Sequence, residues 1–207
     1  MGTHAFELDK YNDIRKVLKK RMDKERYHHT LGVAYTAAAL GMAYDVDFET
    51  CYFAGLLHDC AKYLTDEEKL QMAETAGIPI TDYERKAPGL LHAELGSYIA
   101  ATEFGVTDEA ILSAITYHTV GRPEMTTLEK IIFVADYIEP NRPNFPMFKE
   151  IRHEAFHDLD KAVYMAAKRS MDYLVEKGCK VIDPRSLETI AYYKKITEEK
   201  ERMDVNS

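Results

Sequence analysis

Apolar residues return at three- and four-residue steps along nearly the whole chain, and no alternating run of strand length breaks the pattern. That periodicity commits the chain to an all-α helical bundle. Tyr11, Ile14, Val17, Leu18 and Met22 predict an amphipathic helix over 6–23. Further helices are expected at about Arg26–Tyr44, Cys51–Tyr63, Leu91–Phe104, Asp108–His118, Thr127–Tyr137 and Leu159–Lys177. Between them, Thr65 with Glu68 three residues on reads as a capping box, and Gly77 and Pro79 stop the short helix it starts. A last helix should begin at Arg185 or Ser186 and fray into a charged, mobile tail over 194–207. We read 1–207 as one domain with its core over about 26–193. Two proline-marked loops, Glu139–Pro146 and Gly178–Ser186, sit at helix ends, where binding groups are commonly placed.

Six polar residues intrude on the apolar faces. His29 shares a stripe with Val33, Ala37 and Leu40; His92 precedes Leu95 and Gly96; His118 follows Ile111 and Ile115; Asp136 follows Leu128 and Ile132; His58 and Asp59 close the stripe of Phe53, Leu56 and Leu57. Singly, each has an ordinary explanation: a lone core histidine is most often just hydrogen-bonded, and an aspartate near a helix end often bonds backbone groups. Jointly they need one. An unpaired buried carboxylate costs several kcal/mol, and a domain is only about 5–15 kcal/mol stable. No lysine or arginine shares the stripes of Asp59 and Asp136. A divalent metal held by imidazole and carboxylate is the economical partner, and the mixed N/O set suits Fe, Mn or Zn.

Composition narrows the function classes. Hydrophobic residues at 46% are enough for a real core, yet no apolar run approaches the roughly 18 residues of a membrane span, and no secretory leader is expected. A net charge of -8 argues against a general nucleic-acid binder. The cysteines, Cys51, Cys60 and Cys179, are scattered and form no CxxC pair, which fits a reduced cytoplasmic protein.

The ordered set His29, His58–Asp59, His92, His118, Asp136 resembles the H…HD…H…H…D signature of HD-domain phosphohydrolases, and "HDCAK" resembles the HD-x-x-K form with Lys62 one turn past His58. "RYHHTLGV", "YHTVGRPEMTTLEKIIFVADYIEPNR" and the stretch around "IDPRS" are similar to the YqeK-type branch, over roughly Arg26 to Tyr193. That branch usually carries IHP-x-T and then A-R-N; this chain has Asp183 for the histidine and no A-R-N. The resemblance implies an HD-type bundle with the metal between helices. It implies symmetrical hydrolysis of diadenosine tetraphosphate to two ADP, using one or two iron ions, with manganese or another divalent cation as alternative. His29, His58, Asp59 and Asp136 would hold the main ion, and Asp59 would bridge to a second approached by His92 and His118. With one ion, those two histidines would contact phosphate and protonate the leaving group. Asp59, Lys62, His92 and His118 are thus the catalytic candidates. Substrate contacts would come from Arg26, Lys62, His92, His118, Asp136, Arg142 and the stretch Ile182, Asp183, Pro184, Arg185, Ser186. The partner would be a small nucleotide, with neither nucleic acid nor membrane involved, and a homodimer is compatible. Two readings compete: another HD phosphohydrolase, such as a nucleotidase or cyclic-nucleotide phosphodiesterase, and a non-catalytic nucleotide-sensing module.

Overall fold

The computed structural model describes residues 8–142, 146–179 and 181–205, and among these the chain is helical without a strand. A 3-10 turn, Leu8–Tyr11, leads into α1 (Asn12–Arg21), so residues 6 and 7 of the expected first helix lie outside the described residues. Then come α2 (Lys24–Ala43), α3 (Phe48–Leu57), α4 (Asp66–Ala76), α5 (Asp82–Lys86), a second 3-10 turn (Pro88–Leu91) and α6 (His92–Thr102). The chain continues through α7 (Glu109–Tyr117), α8 (Thr127–Ile138), α9 (Pro146–Glu154), α10 (Leu159–Glu176) and α11 (Pro184–Val205).

The centre is the α2–α3 pair, with α7 and α8 packed against it, α6 behind α7, and α10 joining α8 to α11. Leu40, Leu56, Leu57, Leu95, Ile115, Ile131 and Ile132 are fully buried there. The crossing of α2 and α3 is close because position 55 lacks a side chain: a Cβ on Gly55 would lie 2.8 Å from the Cα of Ala34. Backbone cannot yield as a flexible side chain can, so this contact fixes how near His29 on α2 comes to the end of α3.

Helix starts follow local chemistry. Asp23 accepts from the Arg26 amide at the head of α2, and Thr65 forms the expected box with Glu68. Gly77, at φ 68°, ends α4 in the left-handed conformation that glycine adopts without strain. Two further boxes, Thr81–Glu84 and Thr126–Glu129, start α5 and α8. Three sequence expectations need correction. The third helix ends at Leu57, not Tyr63, so His58 and Asp59 stand in the turn beyond it. Residues 146–154 are helical, whereas Pro143, Asn144 and Phe145 of the expected loop lie outside the described residues. The last helix begins at Pro184 and runs to Val205 instead of fraying. Lys200 holds it by pairing with Asp158 and Asp160 at 2.9 and 2.8 Å, and the Tyr193 hydroxyl accepts from the Met125 amide at 2.9 Å.

Candidate metal centre

All six intruding residues meet at one place. His29 comes from the body of α2 and Asp136 from the last turn of α8; the other four sit at helix ends, His58 and Asp59 after α3, His92 opening α6 and His118 after α7. Helix termini leave carbonyls unsatisfied, and three of the histidines use them in the same way. The Nδ1–H groups of His58, His92 and His118 donate to the carbonyls three residues back, Gly55 at 2.7 Å, Gly89 at 2.6 Å and Ile115 at 2.6 Å. The fourth, His29, donates Nδ1–H to the Glu139 carboxylate at 3.2 Å. With every Nδ1 occupied as a donor, Nε2 is the atom each ring turns to the centre, and in the neutral ring it offers a lone pair there.

The inward atoms fall into two groups around Asp59. On its Oδ2 side lie His58 Nε2 at 3.6 Å and His29 Nε2 at 3.9 Å, and His29 Nε2 is also 3.0 Å from Asp136 Oδ1. On its Oδ1 side lie His92 Nε2 at 3.3 Å and His118 Nε2 at 3.6 Å, with 3.1 Å between the two nitrogens. Three overlapping sets (His29, His58, Asp59; His58, His118, Asp136; Asp59, His92, His118) each bring their ligand atoms within 4.8 Å of one another. His58 Nε2 is buried without a hydrogen-bond partner, and His29 Nε2 meets only the Asp136 carboxylate. Buried imidazole nitrogens facing two carboxylates are what a divalent metal ion fits, and the cluster is a divalent metal site.

The carboxylates are not bare. Arg26 Nη1 reaches Asp59 Oδ2 at 2.7 Å and Arg142 Nη2 reaches Asp136 Oδ1 at 2.7 Å. Something positive was expected to meet both carboxylates, and two arginines do so from outside their stripes. Arg26 approaches from a neighbouring helix and Arg142 from the loop after α8, so neither shows on the carboxylates' own stripes. Burial alone would raise the Asp59 carboxyl, but His58, His118, His92 and Lys62 outweigh it and hold it well below the usual range. Asp136 is lowered too, by His29, His58 and Arg142 against the opposing effect of burial. Burial pushes His58 down to about 4 and His92 well below its ordinary value, keeping both in the neutral form in which an imidazole can bind a metal. Burial acts the same way on His29, but Asp136 and Glu139 on its two nitrogens win and raise it to about 9. A proton on His29 occupies the place of a cation, and metal loading displaces it.

Glu139, Asn141 and Thr119 are residues the sequence reading missed. Glu139 is 1% exposed, and its second oxygen accepts from the amide of Asn141 at 2.7 Å and from its side chain at 2.9 Å. Gly32 makes room for it, since a Cβ there would collide with Glu139 Oε2. The three-residue step from Asp136 to Glu139 was the available signal. The Thr119 hydroxyl lies 3.1 Å from His92 Nε2 and 3.0 Å from His118 Nε2.

Two openings flank the cluster. A mostly apolar cavity of about 370 Å³ is lined by Lys62, His92, Thr119, Phe133, Ile182 and Ser186, among others. A polar cleft of about 480 Å³ is bounded by Arg26, His29, Glu139, Asn141 and Arg142. The Lys62 ammonium, its pKa lowered by burial, is 3.1 Å from His92 Nε2. Asp183 also borders the cavity, but its carboxylate caps α11 through the Arg185 amide at 2.9 Å and binds the Arg185 guanidinium. Pro184 is exposed as the first residue of α11, and Arg185 turns away to Glu84 and Glu94; neither borders the cavity.

The HD domain family matches residues 26–141, the stretch that supplies all six side chains of the cluster. The chain is 42% identical to the symmetrical bis(5'-nucleosyl)-tetraphosphatase of Bacillus subtilis, over 78% of this chain and 86% of that one. It is 36% identical to the enzyme of the same name from Staphylococcus aureus, over 86% and 92%. A crystal structure of a predicted HD superfamily hydrolase involved in NAD metabolism, from Clostridium acetobutylicum, superposes with a TM-score of 0.85 at 37% identity, over 89% of this chain and 97% of that one. The chain belongs to the HD-domain family, in the group that contains the symmetrical bis(5'-nucleosyl)-tetraphosphatases.

Proposed function

We propose that the protein is a bis(5'-nucleosyl)-tetraphosphatase that cuts diadenosine tetraphosphate and related dinucleoside tetraphosphates symmetrically, with iron as its resident metal and manganese as a substitute. The observation that carries this reading is the convergence of four imidazole Nε2 atoms on two carboxylates, between an apolar cavity and a polar cleft that holds two arginines. When bound, a divalent metal supplies Lewis-acid polarisation of water and of phosphoryl oxygens. His29, His58, Asp59 and Asp136 would hold it, and Asp59, His92 and His118 could share a second ion.

The remaining chemistry belongs to the chain. The apolar cavity takes one nucleoside, while Lys62 and Thr119 at its inner end meet the adjoining phosphates. Arg26 and Arg142, whose side chains are 35% and 38% exposed, face the cleft on the other side and neutralise the second half of the substrate. This arrangement sets the middle phosphoanhydride over the cluster. Water adds to one phosphorus as the bridging oxygen departs on the other diphosphate, and the proton that the attacking water gives up balances the leaving oxygen through solvent. Positioning and charge neutralisation are the main demands of such a step. A mononucleotide would leave the polar cleft, with its partly exposed Arg26 and Arg142, without a ligand, which favours the dinucleotide over the nucleotidase reading. We also place the protein in the cytoplasm, where the free Cys51, Cys60 and exposed Cys179 would stay reduced.

Incubation with diadenosine tetraphosphate and Fe(II) or Mn(II), followed by chromatography, tests the reading. ADP as sole product is expected; AMP with ATP would overturn symmetrical cleavage, and no turnover would overturn the activity. Glu139→Ala should weaken metal binding by about 10–100-fold, because His29 loses the group that fixes its tautomer and orientation. Competition against a chelating dye measures it, and wild-type affinity would show that Glu139 does not orient the ligand.

A further inference from the structure

Arg185 is the most heavily engaged cation among the described residues, and it touches no part of the metal centre. Its Nη1 donates to Glu94 Oε1 at 2.9 Å, its Nη2 to Glu84 Oε1 at 2.6 Å and Asp183 Oδ2 at 2.6 Å, and its Nε to Asp183 at 3.0 and 3.1 Å. All three nitrogens are thereby committed, leaving the guanidinium unsuited to clamp a phosphate. The carboxylates are largely withdrawn from water: the side chains of Glu84, Asp183 and Glu94 are 2%, 4% and 20% exposed. What these partners connect is informative. Glu84 and Glu94 bracket the stretch that contributes Ala87, Gly89, Leu90 and His92 to the apolar cavity, and Asp183 ends the stretch that contributes Val181 and Ile182. One guanidinium therefore ties together two remote segments that line the same cavity.

We propose that Arg185 is a positioning residue, a charge latch that holds the 181–186 segment and the 87–92 segment at the separation the nucleoside needs. The proposal rests on the reading of the cavity as the nucleoside site. Without the guanidinium, three carboxylates would face one another in a partly buried place, where like charges repel strongly, and the segments would part. The ligand would then have to order the cavity wall on binding, and that cost appears as lost affinity. The residues that act on the phosphates stay where they are.

Two variants break the latch from opposite ends. Arg185→Gln removes the guanidinium. Glu84→Gln combined with Glu94→Gln keeps it, leaves an oxygen for the Thr81 cap and removes the charge of its two distant partners. Both are expected to raise KM for diadenosine tetraphosphate by about tenfold while kcat falls less than about threefold, and Arg185→Lys should lie between them and wild type. A raised KM in Arg185→Gln with a wild-type KM in the glutamine pair would overturn the latch, because it would mean that Arg185 contacts the substrate. A wild-type KM in both would overturn it as well. Hydrogen–deuterium exchange reads the latch without any substrate: amides at 181–186 should exchange about tenfold faster in both variants. Unchanged exchange in either contradicts the proposal, even if wild-type protein proved inactive and the proposed function fell.

Discussion

Asp59→Ala protein is expected to lose its metal and its activity together, with turnover down by at least about 10³-fold. Asp59 is the one ligand candidate whose two oxygens face both halves of the cluster, Oδ2 toward His58 and His29 and Oδ1 toward His92 and His118. Its removal leaves four inward imidazoles with a single carboxylate, Asp136, and takes away the anion that Arg26 meets. The freed Arg26 is partly exposed and can turn to solvent, so the fold should survive; circular dichroism separates a folded, metal-free variant from an unfolded one. Metal analysis alongside steady-state kinetics decides the point. Wild-type turnover in Asp59→Ala would refute the site.

Lys62→Ala should behave differently: metal content as in wild type, turnover lower by about 10²-fold. Lys62 stands in the turn that follows Asp59, its ammonium against His92 and at the inner end of the apolar cavity, outside all three ligand sets. Burial lowers its pKa, but the charge of Asp59 opposes that shift. An anionic phosphate arriving there would favour the ammonium further, so its contribution belongs to charge neutralisation in the reacting complex. Loss of metal in Lys62→Ala would instead make the lysine a support of the ligands. The pair of variants thus separates holding the cation from using it.

The cluster of six side chains was legible in the sequence because each member breaks an apolar stripe, and a buried stripe tolerates few such breaks. What surrounds the ligands was less legible, for reasons of distance. Arg26 reaches Asp59 across 33 residues, and Arg185 reaches Glu94 and Glu84 across 91 and 101 residues. No periodicity records such pairs; Arg185 entered the sequence reading only through the resemblance of the 182–186 stretch, and its side-chain partners could not be read there. Helix ends were blurred where function intervenes: the expected run to Tyr63 stops at Leu57, and the turn is what lets His58 and Asp59 both point inward. The five-residue α5 and the nine-residue α9 are too short to establish a period. The C-terminal helix looked like a solvated tail because its charges were counted as solvated, whereas Lys200 is paired with the acidic start of α10.

Anomalous diffraction from crystals loaded with Mn(II) addresses the site itself. The account predicts a peak enclosed by the Nε2 atoms of His29 and His58 and the carboxylates of Asp59 and Asp136, with any second peak on the His92–His118 side of Asp59. A map with no peak among these side chains, in protein that nevertheless hydrolyses its substrate, would contradict it.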